Sequence, residues 1–300
     1  MKDETMRLLE KLNSRRVLVS DGAWGTFLHA KGLEPGECPE LWNVTHPDEV
    51  YDIGKRYIDA GADMIETNSF GGSTFKLDHY GLADRTAELN KAAAQLSRRA
   101  AGEDHFVLGS IGPTGVILMM GEVSEEQLYE NFVVQATALA DGGADAIVIE
   151  TMSALDEALL AIKAAKEHTD LEIICTFTFD RTMEGDYKTM MGVSPQDMAQ
   201  TVLDAGADII GTNCGNGMGQ MVDIVKSIRK TAKDVPILVH ANAGAPIVKN
   251  GETIFPETPQ ETASWVPDLI KAGADIIGGC CGTTPDHISS IRKAVQICSS

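Results

Sequence analysis

The stretch GADIIGGCCGTTP, residues 273 to 285, joins an apolar strand-like run to two adjacent cysteines, Cys280 and Cys281. A nearly identical run, GADIIGTNCG at residues 206 to 215, also leads to a cysteine, Cys214. The shared letters GADII indicate a helix end followed at once by a strand, because glycine suits a left-handed helix C-cap and the aliphatic residues come directly after it. The two stretches therefore predict a repeated helix-to-strand unit with thiols where the strand ends.

The same helix-to-strand joint occurs four times, as AGAD or GGAD at residues 60 to 63, 142 to 145, 205 to 208 and 272 to 275. Val- and Ile-rich runs recur along the chain and alternate with amphipathic segments whose apolar positions are three or four residues apart. We predict eight strands: RVLVSD (16–21), DMIETN (63–68), FVLGSI (106–111), AIVIET (146–151), EIICTFTF (172–179), DIIGTN (208–213), PILVHAN (236–242) and DIIGGC (275–280).

Eight apolar strands that alternate with helices predict a parallel sheet covered by helices, as in α/β proteins. In a chain of 300 residues they favour a single (β/α)8 TIM barrel over an open doubly wound sheet. No GxGxxG motif follows the first strand, and no linker divides the chain, so residues 1–300 are predicted to form one domain. Two long strand-to-helix connections, residues 180–195 and 243–261, are expected to form lids or binding surfaces on the C-terminal face.

Composition excludes some classes of partner. Asp+Glu 44 against Lys+Arg 25 gives a formal net charge of -19, which disfavours nucleic acid and anionic membranes as partners. Residues 1–16 have the pattern of a charged amphipathic helix without the apolar core of a signal peptide, and no run is long enough to span a bilayer. We expect a cytoplasmic protein.

Catalytic residues of such barrels lie at the C-terminal ends of the strands, where the loops converge. Strands six and eight have one strand between them, so Cys214, Cys280 and Cys281 are expected to meet above the barrel. Three thiolates and one open position make a catalytic type of zinc site. The residues at the predicted strand ends are Asp21, Glu66, Asn68, Glu150, Thr151, Asn213, Cys214, His240, Asn242, Cys280 and Cys281.

Other interpretations of these residues stay open at this point. A structural or redox role of the three thiols is an alternative to zinc, although a disulfide between adjacent cysteines would be strained. Cys38, Cys175 and Cys298 are interpreted as small buried apolar residues. His240 is an alternative fourth ligand, but we favour a hydrogen-bonded structural role for it.

The charge of the predicted zinc site favours one kind of reaction. Zinc with three thiolates is formally negative, which makes it a poor activator of water and a good partner for a soft nucleophile. A free thiol is mostly protonated at pH 7, whereas a zinc-bound thiol is deprotonated. We therefore expect a substrate thiol that attacks an alkyl donor, and we do not expect hydrolysis.

Two carboxylates at the same rim, Asp21 and Glu150, could hold an ammonium group. Backbone amides of the turn that starts at Gly22 and Ala23 could bind a carboxylate, so an amino-acid substrate is predicted. The equal alternative is that the two acids cap helices or brace loops. Glu66 and Asn68 are interpreted as bracing groups, because buried polar side chains need internal partners.

Seven stretches carry a resemblance to a known family: DGAWGT (21–26), ADMIETNSFGG (62–72), SIGPTG (110–115), IVIETM (147–152), GTNCGNG (211–217), HANAGAP (240–246) and GGCCGTTPDHI (278–288). Together they resemble the zinc-dependent homocysteine S-methyltransferases, most closely the homocysteine module of cobalamin-dependent methionine synthase, over nearly the whole chain. The resemblance implies one zinc ion on Cys214, Cys280 and Cys281, and a homocysteine ammonium on Asp21 and Glu150. It also implies that Asn242 occupies the metal's open position before substrate arrives.

The resemblance implies methyl transfer to the thiol of homocysteine, which yields methionine. Members that use betaine surround its quaternary ammonium with aromatic rings, whereas this chain has Cys38, Gly71 and Thr151 at the matching positions, so betaine is not expected. The sequence ends just after the predicted barrel, so we expect no folate or cobalamin module in the same chain. A separate corrinoid protein carrying methylcobalamin is therefore the favoured donor, with S-methylmethionine or S-adenosylmethionine as alternatives. A related thiol or selenol acceptor also remains an alternative.

Two functions of another kind are alternatives. A barrel lyase or aldolase would use Glu150 or a lysine, but no lysine falls at a predicted strand end. A non-catalytic, zinc-stabilised partner subunit would need four protein ligands, whereas three are evident.

Overall fold

The computed structural model describes residues 7–14, 17–249 and 252–298. Eight parallel strands form one sheet, and each overlaps a segment that the sequence predicts as a strand, although the fourth runs on to Met152 and the sixth to Gly217, beyond their predicted ends at residues 151 and 213. The strands are β1 (Leu18–Val19), β2 (Met64–Glu66), β3 (Phe106–Ile111), β4 (Ala146–Met152), β5 (Glu172–Phe177), β6 (Ile209–Gly217), β7 (Ile237–Asn242) and β8 (Ile276–Gly279).

Helices follow the strands and cover the outside of the sheet. The longer helices among the described residues are α1 (Pro47–Asp59), α2 (Thr86–Ala101), α3 (Glu125–Gly142), α4 (Leu155–His168), α5 (Pro195–Asp204), α6 (Met218–Thr231), α7 (Val266–Ala272) and α8 (Pro285–Cys298). Shorter helices span Leu8–Asn13, Gly25–Ala30, Trp42–Thr45, Thr74–Asp78 and Pro259–Ser264, and 3-10 turns span Pro39–Leu41, Ala83–Arg85 and Leu118–Met120.

The sheet curls into a nearly closed barrel. Its strand order is β1-β8-β7-β6-β5-β4-β3-β2, so β1 and β2 are the two ends that must meet. Asp63 joins them, because its backbone amide donates to the Val19 carbonyl and its Oδ2 accepts the Val19 amide at 2.8 Å. The predicted (β/α)8 TIM-barrel class is confirmed.

The amino-terminal end of the barrel is closed by the short helix Leu8–Asn13. Its Leu8 and Leu12 pack with buried residues of the strands, including Leu18, Met64 and Phe106. The helix lies within the segment predicted to be amphipathic; residues 1–6 and 15–16 of that prediction lie outside the described residues. With this end filled by apolar side chains, the opposite end is left for polar ones.

The four GAD joints have one shared geometry. Each glycine follows an odd-numbered helix with φ between 96° and 107°, as the C-cap prediction requires: Gly61, Gly143, Gly206 and Gly273. Each following aspartate accepts a backbone amide from the odd-numbered strand before it: Asp63 from Val19, Asp145 from Val107, Asp208 from Ile173 and Asp275 from Ile237. The barrel is thus a fourfold repeat of two strands and two helices.

The two long connections each contain a β-hairpin. Asp180–Arg181 pairs with Tyr187–Lys188, and Ile247–Lys249 pairs with Glu252–Ile254. Both hairpins follow the C-terminal ends of strands, β5 and β7 respectively. Within the described ranges, no helix is long and apolar enough to cross a membrane.

Candidate active site

Three thiols meet at the C-terminal end of the barrel. Cys214 lies in the last part of β6, and Cys280 and Cys281 follow β8 directly. The three sulfur atoms lie within 4.8 Å of one another, with 3.9 Å between the Sγ atoms of Cys214 and Cys281. Zinc–sulfur bonds of about 2.3 Å in a tetrahedron separate the sulfurs by roughly 3.8 Å. The donor set therefore fits zinc.

Local backbone geometry brings the thiols together. The pairing of β6 with β7 changes register between Asn213 and Gly217, and Cys214 has a φ of 59°, which a residue other than glycine rarely adopts. At Gly279, the last residue of β8, a side chain would place its Cβ 2.2 Å from Thr283 Oγ1. This hydroxyl donates to the Cys280 carbonyl at 2.7 Å, so Gly279 lets the CCGTT turn close on itself.

The thiols are electrostatically coupled. Hydrogen bonds from Cys280 and Cys281 lower the pKa of Cys214 to about 3. Hydrogen bonding to the Cys214 sulfur is in turn the largest cause that raises the pKa of Cys280 above its ordinary value and that of Cys281 to about 12. Protein groups alone thus stabilise one thiolate of the three, and a divalent cation would be needed to stabilise all three.

Asn242 lies beside the thiols at the end of β7. Its side chain hydrogen-bonds to Cys214 and lowers the pKa of that thiol. Its Oδ1 atom is buried and has no hydrogen-bond partner among the described residues. A buried oxygen without a hydrogen-bond partner costs free energy, and a bound metal ion would remove that cost. The Oδ1 atom therefore fits the position of a metal ligand next to the three thiols.

A cavity of about 310 Å³ opens above the thiols. Three glutamates and a histidine line it, and so do Trp24 and Phe70. None of the described residues that line it is a lysine or an arginine. The lining residues are Gly22, Ala23, Trp24, Gly25, Thr26, Leu28, Pro39, Glu40, Glu66, Thr67, Asn68, Ser69, Phe70, Ser110, Glu150, Thr151, Cys214, His240, Gly279, Cys280 and Cys281.

Asp21 lies at the end of β1, fully buried, and is not among the residues that line the cavity. Its Oδ2 accepts the indole N–H of Trp24 and the backbone amide of Glu66, both at 2.8 Å, and its Oδ1 accepts the Ser20 hydroxyl at 3.2 Å. Burial, and after it the charge of Glu66, raises the pKa of Asp21 to about 7. Asp21 thus ties the start of the Gly22 turn to β2.

Glu150 lies at the end of β4 and lines the cavity. Its carboxylate accepts the Ser110 hydroxyl and, at 3.0 Å, the side-chain amide of Asn213. Burial, followed by the charge of Glu66, raises its pKa well above the ordinary range of a glutamate. Asn213 also accepts the Thr151 amide at 2.8 Å, so it joins the ends of β4 and β6 beneath the cavity.

The turn after β1 is fixed by hydrogen bonds. Gly22 and Ala23 both line the cavity, but the Ala23 amide donates to Thr283 Oγ1 at 3.1 Å. Tyr57 binds the Ala23 carbonyl at 2.8 Å. The Ala23 amide is therefore already paired, and the turn is anchored to the cysteine-bearing turn.

Comparisons with known proteins agree with this geometry. The homocysteine S-methyltransferase family profile matches residues 18–295. The chain belongs to the homocysteine S-methyltransferase family. It is 34% identical to methionine synthase of Mycobacterium leprae over 97% of its length and to that of Mycobacterium tuberculosis over 94%. The chain spans about a quarter (25%) of the length of each of these curated relatives.

Solved structures support the fold of this homocysteine S-methyltransferase family member. The metallated form of the Escherichia coli homocysteine methyltransferase MmuM superposes with a TM-score of 0.78 at 23% identity, covering 94% of this chain and 98% of that one. The carboxyl transferase domain of Rhizobium etli pyruvate carboxylase gives 0.56 at 16% identity, covering 98% of this chain and 52% of that one. At such identities the likeness shows the barrel alone.

The structure also bears on the predictions for Asn68, Glu66, His240 and the three remaining cysteines. Asn68 braces as expected, since its Nδ2 donates to the Pro39 carbonyl at 2.8 Å. The Glu66 carboxylate accepts no aligned hydrogen bond from a described residue, and its bracing role stays a prediction. His240 places Nδ1 3.3 Å from Glu66 Oε1, and its Nε2 has no partner among the described residues. The expected burial of Cys298 was also wrong, because that thiol is exposed; Cys38 and Cys175 are buried.

Sequence reasoning missed some residues of the site. Trp24 and Phe70 lie inside the motifs DGAWGT and TNSFGG but were not assigned to the cavity. Ser110 and Thr283 were likewise not singled out, although they hold Glu150 and the cysteine-bearing turn. Their common signal is position: each lies in, or directly after, the end of a predicted strand.

Proposed function

We propose that this chain transfers a methyl group to the thiol of homocysteine at a zinc site and so makes methionine. The observation that carries this proposal is the meeting of Cys214, Cys280 and Cys281 in the wall of a cavity that buried acids also line. The family assignment supports the same acceptor, since the matching profile describes homocysteine S-methyltransferases.

The three cysteines would hold one zinc ion, and Asn242 is the candidate for its fourth position before substrate binds. When bound there, zinc keeps a substrate thiol ionised and nucleophilic at neutral pH. The protein's part is to supply three soft ligands on a rigid frame. The bulged end of β6 fixes Cys214, and Thr283 fixes the turn that carries Cys280.

Acids near the thiols would bind the amino-acid end of the substrate. Glu150 lines the cavity and would face the ammonium group directly, whereas Asp21 would act from beneath by holding the Gly22–Ala23 turn. Because no lysine or arginine lines the cavity within the described residues, these acids lack a cationic partner from the protein. A cationic group of the ligand would be that partner. Its binding would also fix the position of the substrate thiol for in-line displacement.

A methyl-corrinoid protein remains the favoured methyl donor. The resemblance to the homocysteine module of cobalamin-dependent methionine synthase supports it. The curated methionine synthase relatives are also much longer than this chain. The loops after β3 and β5 carry exposed methionines, which would suit adaptable apolar contacts with a partner protein: Met119, Met120, Met183 and Met190. S-Methylmethionine and S-adenosylmethionine are the alternatives for a donor that enters the cavity itself.

The other two functions have less support. A Schiff-base lyase needs a lysine, and none of the described cavity-lining residues is one. A purely structural zinc site needs four protein ligands that exclude solvent, whereas the three thiols line an open cavity.

X-ray absorption at the zinc edge tests thiol activation directly. Zinc-loaded protein is expected to show three sulfur neighbours, and a fourth after addition of homocysteine. Homoserine, which carries a hydroxyl in place of the thiol, is the matched control and should leave the sulfur count at three. An unchanged shell with homocysteine would overturn the proposal.

A turnover screen then separates the methyl donors. Homocysteine is supplied with methylcobalamin, S-methylmethionine, S-adenosylmethionine or betaine, and methionine is measured by mass spectrometry. We expect methionine with methylcobalamin and none with betaine. Product with S-methylmethionine alone would replace the corrinoid donor by a small sulfonium compound.

A further inference from the structure

Among the described residues, two that are not glycine adopt a left-handed backbone conformation. They are Thr151 and Cys214, and both have a φ of 59°. Thr151 follows Gly143 by the same number of residues as Cys214 follows Gly206, so the two occupy equivalent positions of the fourfold repeat. This conformation costs free energy in a residue with a side chain, and it persists only where neighbouring groups hold it. Each of these two strand ends therefore needs partners that fix its backbone.

Both residues lie where a strand departs from regular pairing. The pairing of β4 with β5 changes register across Thr151, and the pairing of β6 with β7 changes register directly after Asn213. Such bulges leave extra residues out of the ladder, bend the strand and redirect its side chains. Here they accompany two residues of the cavity wall, Thr151 and Cys214.

One side chain connects the two bulges. Asn213 directly precedes Cys214, and its Oδ1 accepts the Thr151 amide and the Thr176 hydroxyl, both at 2.8 Å. Its Nδ2 donates to Thr151 Oγ1 at 2.7 Å and to Glu150 Oε2 at 3.0 Å. Thr176 belongs to β5, which lies between β4 and β6 in the sheet. The Asn213 side chain therefore reaches across one strand to hold the bulge of another.

The Asn213 side chain is fully buried and uses its whole hydrogen-bonding capacity. A primary amide has two N–H donors and an oxygen with two lone pairs, and the four bonds engage all of them. Any rotation of the amide would leave a buried polar group without a partner, so one orientation is strongly favoured. The residue next to Cys214 is thus fixed from three strands.

We propose that Asn213 is a positioning residue for the zinc site, which holds the bulge of β6 so that Cys214 meets Cys280 and Cys281 before the metal binds. The inference rests on the proposed function and adds to it a residue that is not itself a ligand. Without the four bonds, the left-handed backbone at Cys214 would relax, and zinc binding would have to restore it. Loss of Asn213 should therefore weaken zinc binding even though all three thiols remain.

A purely structural role of Asn213 makes a different prediction. If Asn213 only braces the barrel, its removal lowers the stability of the metal-free and the zinc-loaded chain equally, and the zinc affinity of the folded chain stays the same. If Asn213 positions Cys214, the stabilisation that zinc adds becomes smaller. Zinc affinity and the unfolding of metal-free protein, measured on the same variants, separate the two roles.

The experiment measures zinc binding to the reduced, metal-free chain by competition with a chromophoric chelator. We expect Asn213→Ala to raise the zinc dissociation constant about 10- to 100-fold, as loss of groups that orient metal ligands does. Thr176→Val removes one of the four bonds and keeps the shape of the side chain, so the constant should rise about threefold. Cobalt(II) at saturation should give the native visible spectrum in both variants, because the ligands are unchanged.

Thr212→Val is the matched control. Thr212 precedes Asn213 in β6 and is equally buried, but its hydroxyl donates to Met221 Sδ of α6 at 3.7 Å. Successive side chains of a strand point to opposite faces, so this change removes a buried hydroxyl from the other face of the same strand. The zinc dissociation constant of Thr212→Val should stay within about twofold of the native value. Urea unfolding of each metal-free variant shows whether it is folded.

The outcomes separate this inference from the proposed function. If the native chain binds no zinc, the proposed function fails. If it binds zinc, but Asn213→Ala and Thr176→Val both stay within about twofold of the native affinity, Asn213 does not position the site. An equal loss in Thr212→Val, or an altered cobalt spectrum at saturation, overturns the inference as well. Should Asn213→Ala not fold, Thr176→Val decides by the same twofold limit.

Discussion

The two ends of the barrel differ in whether their acidic residues pair with arginine. At the amino-terminal end, the GAD aspartates each accept a strand amide, and three of them also pair with arginine: Asp63 with Arg292, Asp145 with Arg98 and Asp275 with Arg229. At the C-terminal end, Asp21, Glu66 and Glu150 are more deeply buried, yet none of them forms a salt bridge with a lysine or arginine of the described residues. Acids that pair with arginine stabilise the fold at one end, and acids without a lysine or arginine partner leave the other end ready for a cationic ligand.

This contrast teaches how to separate structural from functional polar groups when both are buried. A group whose partners all come from the protein is complete without a ligand. The thiols, Glu66 and the Oδ1 atom of Asn242 are not complete by this measure. Variants at the two ends should therefore affect different properties, stability at one and binding at the other.

The largest expected effect is loss of metal in Cys281→Ala. Removing one of three thiolates removes a substantial part of a zinc-binding free energy that is roughly 10–16 kcal/mol in small zinc domains, so affinity should fall by about three orders of magnitude. Zinc per chain is measured by atomic emission after dialysis against a weak chelator. Stability of the metal-free variant should stay within about 1 kcal/mol of the native chain, as most surface-near changes do.

Cys298→Ala is the control for that variant. Cys298 is an exposed thiol at the last residue of α8 and is not one of the three clustered thiols, so its removal should leave zinc content unchanged. Zinc retained at native affinity by Cys281→Ala would contradict a site built on the three cysteines.

The buried acids without a lysine or arginine partner should make the metal-free protein less stable as pH rises. Burial raises the pKa of Asp21 to about 7 and that of Glu66 to about 8, above the unfolded values near 4. Between these limits the folded state keeps protons that the unfolded state releases. The stability that these two acids contribute is therefore fully present below about pH 4 and is lost as pH rises to 8. The loss is at most about 1.4 kcal/mol per pH unit for each acid.

Glu66→Gln isolates one of these groups. Urea unfolding between pH 5 and pH 8, with chelator and reductant present, should show a smaller decline in the variant than in the native chain. Asp145→Asn, at the opposite end of the barrel, is the control and should leave the decline unchanged. Parallel curves for native and Glu66→Gln protein would show that Glu66 is not the strained acid.

A smaller effect is expected from Asp145→Ala at the amino-terminal end. The change leaves the Val107 amide and the Arg98 guanidinium without their shared acceptor, which should cost about 2–3 kcal/mol of unfolding free energy. Zinc content and homocysteine binding should not change. The control is Asp59→Ala, which breaks an exposed pair with Lys55 and should cost no more than about 0.5 kcal/mol.

Much of the fold could be predicted because its signals are local. The four GAD joints show where helices end, and the strands between them are long apolar runs, so the barrel follows from their number and order. The placement of Cys214 with Cys280 and Cys281 follows from the same order, because the ends of parallel strands lie on one face. A count of strands was therefore enough to bring together Cys214 and Cys281, which are 67 positions apart.

The partners of the acids could not be predicted in the same way. Asp21, Glu66 and Glu150 look alike in sequence, each placed at a strand end. Which of them is satisfied depends on Trp24, Ser110 and Asn213, whose donors come from other elements. The resemblance assigned Asp21 and Glu150 to the ammonium group, and only the three-dimensional contacts show that Asp21 is engaged and Glu66 is not.

The smallest expected effect comes from the one GAD joint that lacks an arginine pair. In three joints one guanidinium donates to both the glycine carbonyl and the aspartate; these are the guanidinium groups of Arg292, Arg98 and Arg229. At the corresponding place in α4 stands Lys166, whose single ammonium binds the Gly206 carbonyl at 2.7 Å. Asp208 accepts the Ile173 amide, and no salt bridge to it is recorded among the described residues.

Lys166→Arg should complete this joint and raise the unfolding free energy by about 0.5 kcal/mol, because the planar guanidinium can reach both acceptors whereas an ammonium reaches one. The gain is measured by urea unfolding and should vanish in an Asp208→Asn background, where the added partner has no charge to meet. Lys163→Arg on the same helix is the control for a general preference for arginine. A gain of equal size in the Asp208→Asn background would mean that the added arginine does not act through the aspartate. The ion pairs of the other three joints would then not be what distinguishes the amino-terminal end of the barrel from the cavity end.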